Sequence, residues 1–152
     1  MERERRWRTV IRSVLAVIAG IAVLTVTSFA IEWVTDPVLD RFFPDPRLEG
    51  GAQHTGVRKL IMFVYTTLCV ACGGYVTAWL ARGSKARHAA IMGVIQAALT
   101  SWAMIEFRDK APLWFWIAGI AVTVPAAWCG GILRAKVFDR AINRREYAEQ
   151  SM

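Results

Sequence analysis

The chain has 152 residues, which leaves room for a single domain. Apolar side chains make up 55% of it, yet charged residues still account for 20%. The two classes are segregated, with long uncharged runs separated by short charged segments. This pattern excludes an ordinary soluble globule and indicates a protein that lies within a membrane.

Four of the uncharged runs are long enough to cross a bilayer, since about 20 helical residues cover roughly 30 Å of hydrocarbon. They are residues 13–34, 60–81, 89–107 and 112–133. Each run is continuously apolar, without the alternation of polar and apolar residues that membrane-spanning strands need. We therefore predict an all-α membrane protein of four transmembrane helices, forming one domain over residues 1–152.

Lysine and arginine predict the orientation of these helices. If the N-terminus lies in the cytoplasm, 13 of the 19 basic residues fall on that side and six on the other. The positive-inside rule then favours N-in, C-in, with an outer loop over 35–57 and a basic cytoplasmic tail over 134–152. The net charge of +7 is therefore a feature of membrane topology, and we expect no nucleic-acid partner. The partners that it implies are anionic lipid headgroups at the cytoplasmic face.

Two segments outside the spans have helical patterns of their own. In the outer loop, Pro37 suits a first helical turn and Pro44 would end the helix. The apolar face of this short helix would consist of Val38, Leu39, Phe42 and Phe43. We expect it to lie on the outer membrane surface, and the tail to form a basic amphipathic helix on the cytoplasmic leaflet.

An internal repeat is suggested by two pairs of short matches. Cys72-Gly73-Gly74 in the second span recurs as Cys129-Gly130-Gly131 in the fourth. Ile31-Glu32-Trp33 ends the first span, and Ile105-Glu106-Phe107 ends the third. These matches predict two helical hairpins of the same orientation, related by an axis along the membrane normal.

One stretch resembles a known pattern. Gly73-Gly74-Tyr75-Val76-Thr77-Ala78-Trp79-Leu80-Ala81, followed by His88-Ala89, is similar to a pattern in small four-helix proteins of the bacterial inner membrane. The resemblance covers the second and third spans. It implies four helices and a bacterial inner membrane, and it carries no activity or catalytic residue.

Small residues recur at four-residue spacing in three of the spans. They are Ala89, Gly93, Ala97 and Ser101; Gly119, Thr123, Ala127 and Gly131; and Gly73 and Thr77. In lipid, where little hydrophobic force draws helices together, such ridges allow backbones to approach closely. They are expected to hold the chain together, and they could also dock a partner.

The cysteines and histidines are the residues that could carry redox chemistry or bind a metal. Cys69 and Cys72 form a C-x-x-C, a motif that quinone-linked thiol oxidases of the membrane use. Their position near the bilayer midplane disfavours a reactive thiolate, so we interpret both as small packing residues. His54 and His88 lack the spacing of a metal site. We therefore predict no catalytic residue, no cofactor and no metal.

Polar side chains within the spans are few. Glu32 and Glu106 end their helices at the outer side, where they could hold a cation or simply mark the boundary beside outer basic residues. A polar cavity could be lined by Gln96, Thr100, Tyr65 and Tyr75. Ion-coupled transporters usually carry an ionisable group deeper in the membrane than either glutamate is predicted to lie.

Three functional hypotheses remain. The scarcity of deep polar groups favours a non-enzymatic multi-pass membrane protein, an accessory subunit or a self-associating bundle, with membrane subunits or itself as partner. The resemblance implies that its membrane is the bacterial inner membrane. The alternative is a small transporter for a neutral or cationic solute. A thiol oxidoreductase that uses Cys69 and Cys72 is the third.

Overall fold

The computed structural model describes residues 2–42, 56–81, 84–108 and 111–150. These residues form four α-helices without a strand: α1 (Glu2–Phe42), α2 (Gly56–Leu80), α3 (Lys85–Glu106) and α4 (Leu113–Gln150). Each helix is long and apolar enough to cross a membrane. The predicted all-α fold with four transmembrane helices is confirmed, and the chain is a multi-pass membrane protein.

The helix α2 packs against each of the other three helices, α4 also packs against α3, and α1 contacts α3 along one flank. Successive helices run in opposite directions, so α1 and α3 end where α2 and α4 begin. We call this the outer end, because the predicted topology places it away from the cytoplasm, and the opposite end the inner end.

The outer part of α1 differs from the prediction. A separate surface helix was expected to begin at Pro37, but α1 continues through this proline to Phe42. Proline removes one backbone donor and crowds the preceding turn. Contacts with α2 outweigh this effect, since Leu39 is only 6% exposed and Asp40 pairs with Arg58. The outer connection therefore begins after Phe42, and residues 43–55, with Phe43 and Pro44, lie outside the described part.

The tail predicted after residue 133 is helical as far as Gln150, continuous with α4. At its start, the Lys85 ammonium lies 3.4 Å from the ring centre of Phe138, and the Arg134 guanidinium lies 5.5 Å from it. Both cations therefore cover one aromatic ring at the inner end, an arrangement that cation–π attraction stabilises.

The contact between α1 and α2 depends on glycine. A Cβ atom added at Gly20 would lie 1.8 Å from the Thr77 hydroxyl oxygen, and one added at Gly73 would lie 2.8 Å from the Gly20 carbonyl oxygen. Both distances are far below van der Waals contact. Only hydrogen fits at these two positions, so α1 and α2 touch through their backbones, as small residues in lipid allow.

The backbones of α2 and α4 approach each other more closely than those of α1 and α2. A Cβ at Gly74 would meet the Ala127 carbonyl oxygen at 2.2 Å, and one at Gly130 would meet the Ala71 carbonyl oxygen at 2.0 Å. The obstructing atoms belong to backbone and cannot move aside. This crossing lies in the inner half of the bundle.

The contact between α3 and α4 uses small side chains together with glycine. A Cβ at Gly93 would lie 3.0 Å from that of Ala127, and one at Gly131 would lie 2.6 Å from that of Ala89. Gly119 lies apart from this packing, because a Cβ there would meet nothing within 4 Å. Of the other ridge residues, Thr77 and Thr123 are buried, and Ala97 and Ser101 are partly buried.

The contacts that the glycines make with neighbouring helices differ between the two Cys-Gly-Gly matches, which are 57 residues apart. Gly73 faces α1, whereas Gly130, its match 57 residues later, faces α2. The contact between α2 and α4 instead pairs Ala71 with Gly130 and Ala127 with Gly74, which corresponds to a spacing of 56 residues. A local two-fold relation holds at this crossing, while the relation between whole hairpins stays a prediction.

Candidate functional site

A cavity of about 230 Å³ lies between the helices in the outer half of the bundle. We call it the outer cavity, and all four helices line it. Its walls are formed by Glu32 of α1; Met62, Phe63, Thr66, Thr67 and Val70 of α2; Gln96 and Thr100 of α3; and Phe115, Trp116, Gly119, Val122 and Thr123 of α4. It extends from the outer end to the middle of the predicted spans.

Among the described residues of the lining, Glu32 alone carries a carboxylate. The Tyr65 hydroxyl donates a hydrogen bond of 3.1 Å to Glu32 Oε1, and Tyr65 is itself buried between the helices. Glu32 is partly buried and lies ten residues before α1 ends at Phe42. The carboxylate is therefore held at the cavity wall, about 15 Å of helix below the end of α1.

If Glu32 only marked the membrane boundary, it would be expected to pair with a basic residue at the outer end. Arg58 instead donates to Asp36 at 3.0 Å and to Asp40, and its side chain is 5% exposed. Both aspartates belong to the part of α1 that follows Glu32. Because α1 continues past Pro37, its outer extension supplies the carboxylates that bind Arg58.

Three threonines of the outer cavity have their hydroxyl protons engaged. Thr67, Thr100 and Thr123 each donate to the carbonyl oxygen four residues earlier in their own helix, at 2.7, 2.9 and 2.6 Å. Such bonds satisfy a hydroxyl within a helix. What the three side chains present to a ligand is therefore an oxygen lone pair, a hydrogen-bond acceptor.

Aromatic rings form the outer part of the wall. The ring centres of Phe63 and Phe115 lie 6.3 Å apart, and those of Phe115 and Trp116 lie 6.1 Å apart, both edge to face. Among the described residues, Trp116 Nε1 is a buried donor without a hydrogen-bond partner. A ligand in this cavity would meet ring surfaces as well as oxygen acceptors.

The structure brings together part of the predicted polar set. Gln96 and Thr100 line the outer cavity, and Tyr65 reaches it through Glu32. Tyr75 and Glu106 are not among the lining residues. Tyr75 lies toward the inner half beside Gly130, and Glu106 is exposed at the end of α3.

The aromatic wall and most of the threonines of the outer cavity were not predicted from the sequence. On α2 the lining residues follow each other at three- and four-residue steps, from Phe63 to Thr67 and Val70. A stripe that mixes threonine with aromatic residues at helical spacing was available as a signal. This stripe did not by itself predict a cavity, because each threonine alone is compatible with a lipid-facing or a packing position.

The cysteines and the inner histidine lie elsewhere. Cys69, Cys72 and Cys129 are free thiols, with Cys69 buried and the other two exposed. His88 Nε2 lies 3.0 Å from the Ser13 hydroxyl, and its Nδ1 lies 3.0 Å from the Ser84 carbonyl oxygen. Within the described part of the chain, no three His, Cys, Asp or Glu side chains meet as metal ligands would, and His54 lies outside that part.

The outer cavity thus combines one fixed carboxylate, several oxygen acceptors and aromatic faces. A carboxylate attracts a cation, acceptors bind its N–H or O–H groups, and ring faces attract positive charge. Comparison with models of known protein families, with curated proteins and with solved structures gave no match for this chain.

Proposed function

We propose that this protein is a small membrane transporter that binds an organic cation in the outer cavity. The observation that carries this proposal is the Glu32 carboxylate, held by Tyr65 on the wall of a cavity that four transmembrane helices enclose. Carboxylates inside membrane spans are costly and usually mark a substrate or ion pathway. From the sequence, Glu32 and Glu106 could each hold a cation or mark the membrane boundary. The position of Glu32 in the cavity lining supports the first reading for this residue.

The hydrogen-bonding groups of the cavity include several acceptors, beside the donors of Gln96 and Trp116. Thr67, Thr100 and Thr123 offer acceptors, because their own protons bond to helix carbonyls. The Glu32 carboxylate is an acceptor as well when ionised. A small organic cation that also carries an O–H donor, such as choline, matches both features.

The aromatic wall favours an organic cation over a bare metal ion. Phe63, Phe115 and Trp116 lie on the same cavity as Glu32. A cation over an aromatic face gains about 0.5–1 kcal/mol when exposed and about 2 kcal/mol or more when desolvated. Alkyl groups on the cation would also contact Met62 and Val122, which a hydrated metal ion would not do.

The volume limits the size of the solute. The cavity measures about 230 Å³, whereas pockets for drug-sized ligands measure roughly 300–1,000 Å³. We therefore infer a small alkylammonium compound, one that carries few polar groups besides its charge.

The other two hypotheses gain less support. The small-residue ridges could have docked a partner subunit. Helices of the same chain pack against them instead, as Gly93 and Gly131 show for α3 and α4. A subunit role therefore stays a prediction without a surface that argues for it. A thiol oxidoreductase is disfavoured because Cys69 is buried while Cys72, one turn later, is exposed.

The proposed membrane is the bacterial inner membrane, with the outer cavity toward the outside of the cell. The excess of basic residues on the N-terminal side of the spans supports this orientation. The resemblance of residues 73–81 to bacterial inner-membrane proteins supports the compartment.

The test is equilibrium binding of choline to the purified protein in detergent, measured by calorimetric titration. Its uncharged carbon isostere, dimethylbutanol, serves as a ligand of the same shape without the charge. We expect choline to bind and dimethylbutanol to bind far more weakly. Glu32→Gln keeps the shape of the side chain and removes its charge, and it should weaken choline binding about 10- to 100-fold.

The matched control is Glu106→Gln, which removes the other glutamate that the sequence singled out, outside the cavity lining. It should bind choline like the parent protein. Equal binding of choline and dimethylbutanol, or equal losses in the Glu32 and Glu106 variants, would contradict the proposal.

A further inference from the structure

A second, apolar groove lies between α1 and α3 in the inner half of the bundle. Its volume is about 420 Å³. Its walls are formed by Ser13, Val14, Val17, Ile18 and Ile21 of α1 and by His88, Ile91 and Ile95 of α3. We call it the inner groove, and it takes no part in the outer cavity.

The inner groove exists because the small residues of α1 and α3 face other helices, and the faces that line the groove carry bulky side chains instead. Gly20 and Gly73 let α1 and α2 touch, whereas bulky Val and Ile side chains face each other across the groove. The two helices are linked at its inner end, where His88 and Ser13 are 3.0 Å apart. Beyond this link an apolar channel remains that none of the described side chains fills.

The length of the groove matches one leaflet of a bilayer. From Ser13 to Ile21 it follows nine residues of α1, whose eight helical steps span about 12 Å. One leaflet contributes about 15 Å of hydrocarbon, half of the roughly 30 Å total. A second transmembrane helix would need a complementary surface through both leaflets, whereas an acyl chain needs only this length.

The charge around the groove is positive at its polar end. Arg12 and Arg87 are exposed residues adjacent in sequence to the linked pair, Ser13 and His88. By sequence, the segments on this side of the spans hold 13 basic and five acidic residues, so the net charge there is positive. An anionic headgroup at the inner end would therefore meet cations near it.

We propose that the inner groove binds one anionic phospholipid of the cytoplasmic leaflet. One acyl chain lies between Ile18 and Ile91, and the phosphate lies beside His88 within reach of Arg12 and Arg87. The groove supplies an apolar wall that any lipid would use. The two arginines supply the preference for a negative headgroup, since each basic residue near a membrane surface attracts anionic lipid.

The experiment compares phosphatidylglycerol with phosphatidylcholine of identical acyl chains, added to the delipidated protein in detergent. Binding is measured from the rise in melting temperature and from lipid adducts in native mass spectrometry. We expect one phosphatidylglycerol adduct and a larger rise in melting temperature than with phosphatidylcholine. Equal stabilisation by the two lipids, or a dimer of the protein in place of the adduct, would overturn the proposal.

Variants separate the groove from the headgroup contacts. Ile91→Trp should fill the groove and remove the adduct, while Val94→Trp, a similarly exposed apolar residue of α3 outside the groove lining, should retain it. Arg12→Gln and Arg87→Gln should each weaken phosphatidylglycerol binding about fivefold. Retention of the adduct in Ile91→Trp, or equal stabilisation by inorganic phosphate alone, would show that the groove is not the binding site.

Discussion

Glu32 lies on the wall of the outer cavity and accepts a hydrogen bond from the Tyr65 hydroxyl. Its charge and its position near the outer end of a span were evident from the sequence. The hydrogen-bonding partner of its carboxylate was not evident, because the choice between Arg58 and Tyr65 depends on how α1 continues beyond Pro37. Once α1 extends to Phe42, Asp36 and Asp40 reach Arg58 first, and Glu32 lies beside the Tyr65 hydroxyl.

Replacing Tyr65 by Phe removes this hydroxyl and leaves the ring. We expect Tyr65→Phe to fold like the parent and to bind choline about fivefold more weakly, the effect of losing a hydrogen bond worth about 1 kcal/mol. Calorimetric titration measures the change. Tyr75→Phe is the control, since Tyr75 is outside the cavity lining, and a similar loss in both variants would show that the effect is not specific to the carboxylate.

At the scale of helices, the four-residue pattern of small residues predicts which helix faces pack closely. It does not predict which helix packs against each face. It selected Gly73 and Gly131 and passed over Gly74 and Gly130, which make the closest backbone contacts between α2 and α4. Adjacent glycines lie about 100° apart around a helix. Each can therefore contact a different neighbour, and only the crossing of the helices determines which one it is.

Alanine at Gly74 or Gly130 tests this crossing. A Cβ at either position would meet a backbone carbonyl oxygen at 2.2 or 2.0 Å, so α2 and α4 must separate. We expect each variant to lose about 1–3 kcal/mol of stability, as overpacked interiors do, and to melt at lower temperature in detergent.

Gly119→Ala is the matched change in the same helix, where a Cβ would meet nothing within 4 Å. Alanine favours helix over glycine by about 1 kcal/mol, so this variant should melt at or above the temperature of the parent. Equal melting temperatures for Gly74→Ala, Gly130→Ala and Gly119→Ala would show that α2 and α4 are not in close contact.

At the scale of the whole molecule, the sequence predicts the number and extent of the spans because hydrocarbon thickness fixes their length. It does not predict the outer cavity, which depends on where helices diverge. Glycine brings α2 and α4 together in the inner half, at Gly74 and Gly130. In the outer half, Phe63 and Phe115 stand between the same two helices, and this difference in side-chain size opens the space.

The orientation of the molecule has its own test. Reporter domains fused after Gly51 and after Lys110 should be active outside the cytoplasm, and fusions after Lys85 and at the C-terminus should be active inside. The reason is the placement of 13 of the 19 basic residues on the N-terminal side. A C-terminal fusion that reports from outside would contradict the N-in, C-in topology.

The most direct test of the proposed function is uptake of labelled choline into proteoliposomes that contain the purified protein. An inside-negative potential of about 100 mV is worth about 2.3 kcal/mol per charge, enough for about 50-fold accumulation of a monovalent cation. We predict accumulation toward this limit with the parent protein and with Glu106→Gln, and uptake near that of empty liposomes with Glu32→Gln. Uptake by the parent no faster than by empty liposomes, or equal uptake by the Glu32 variant, would contradict transport through the outer cavity.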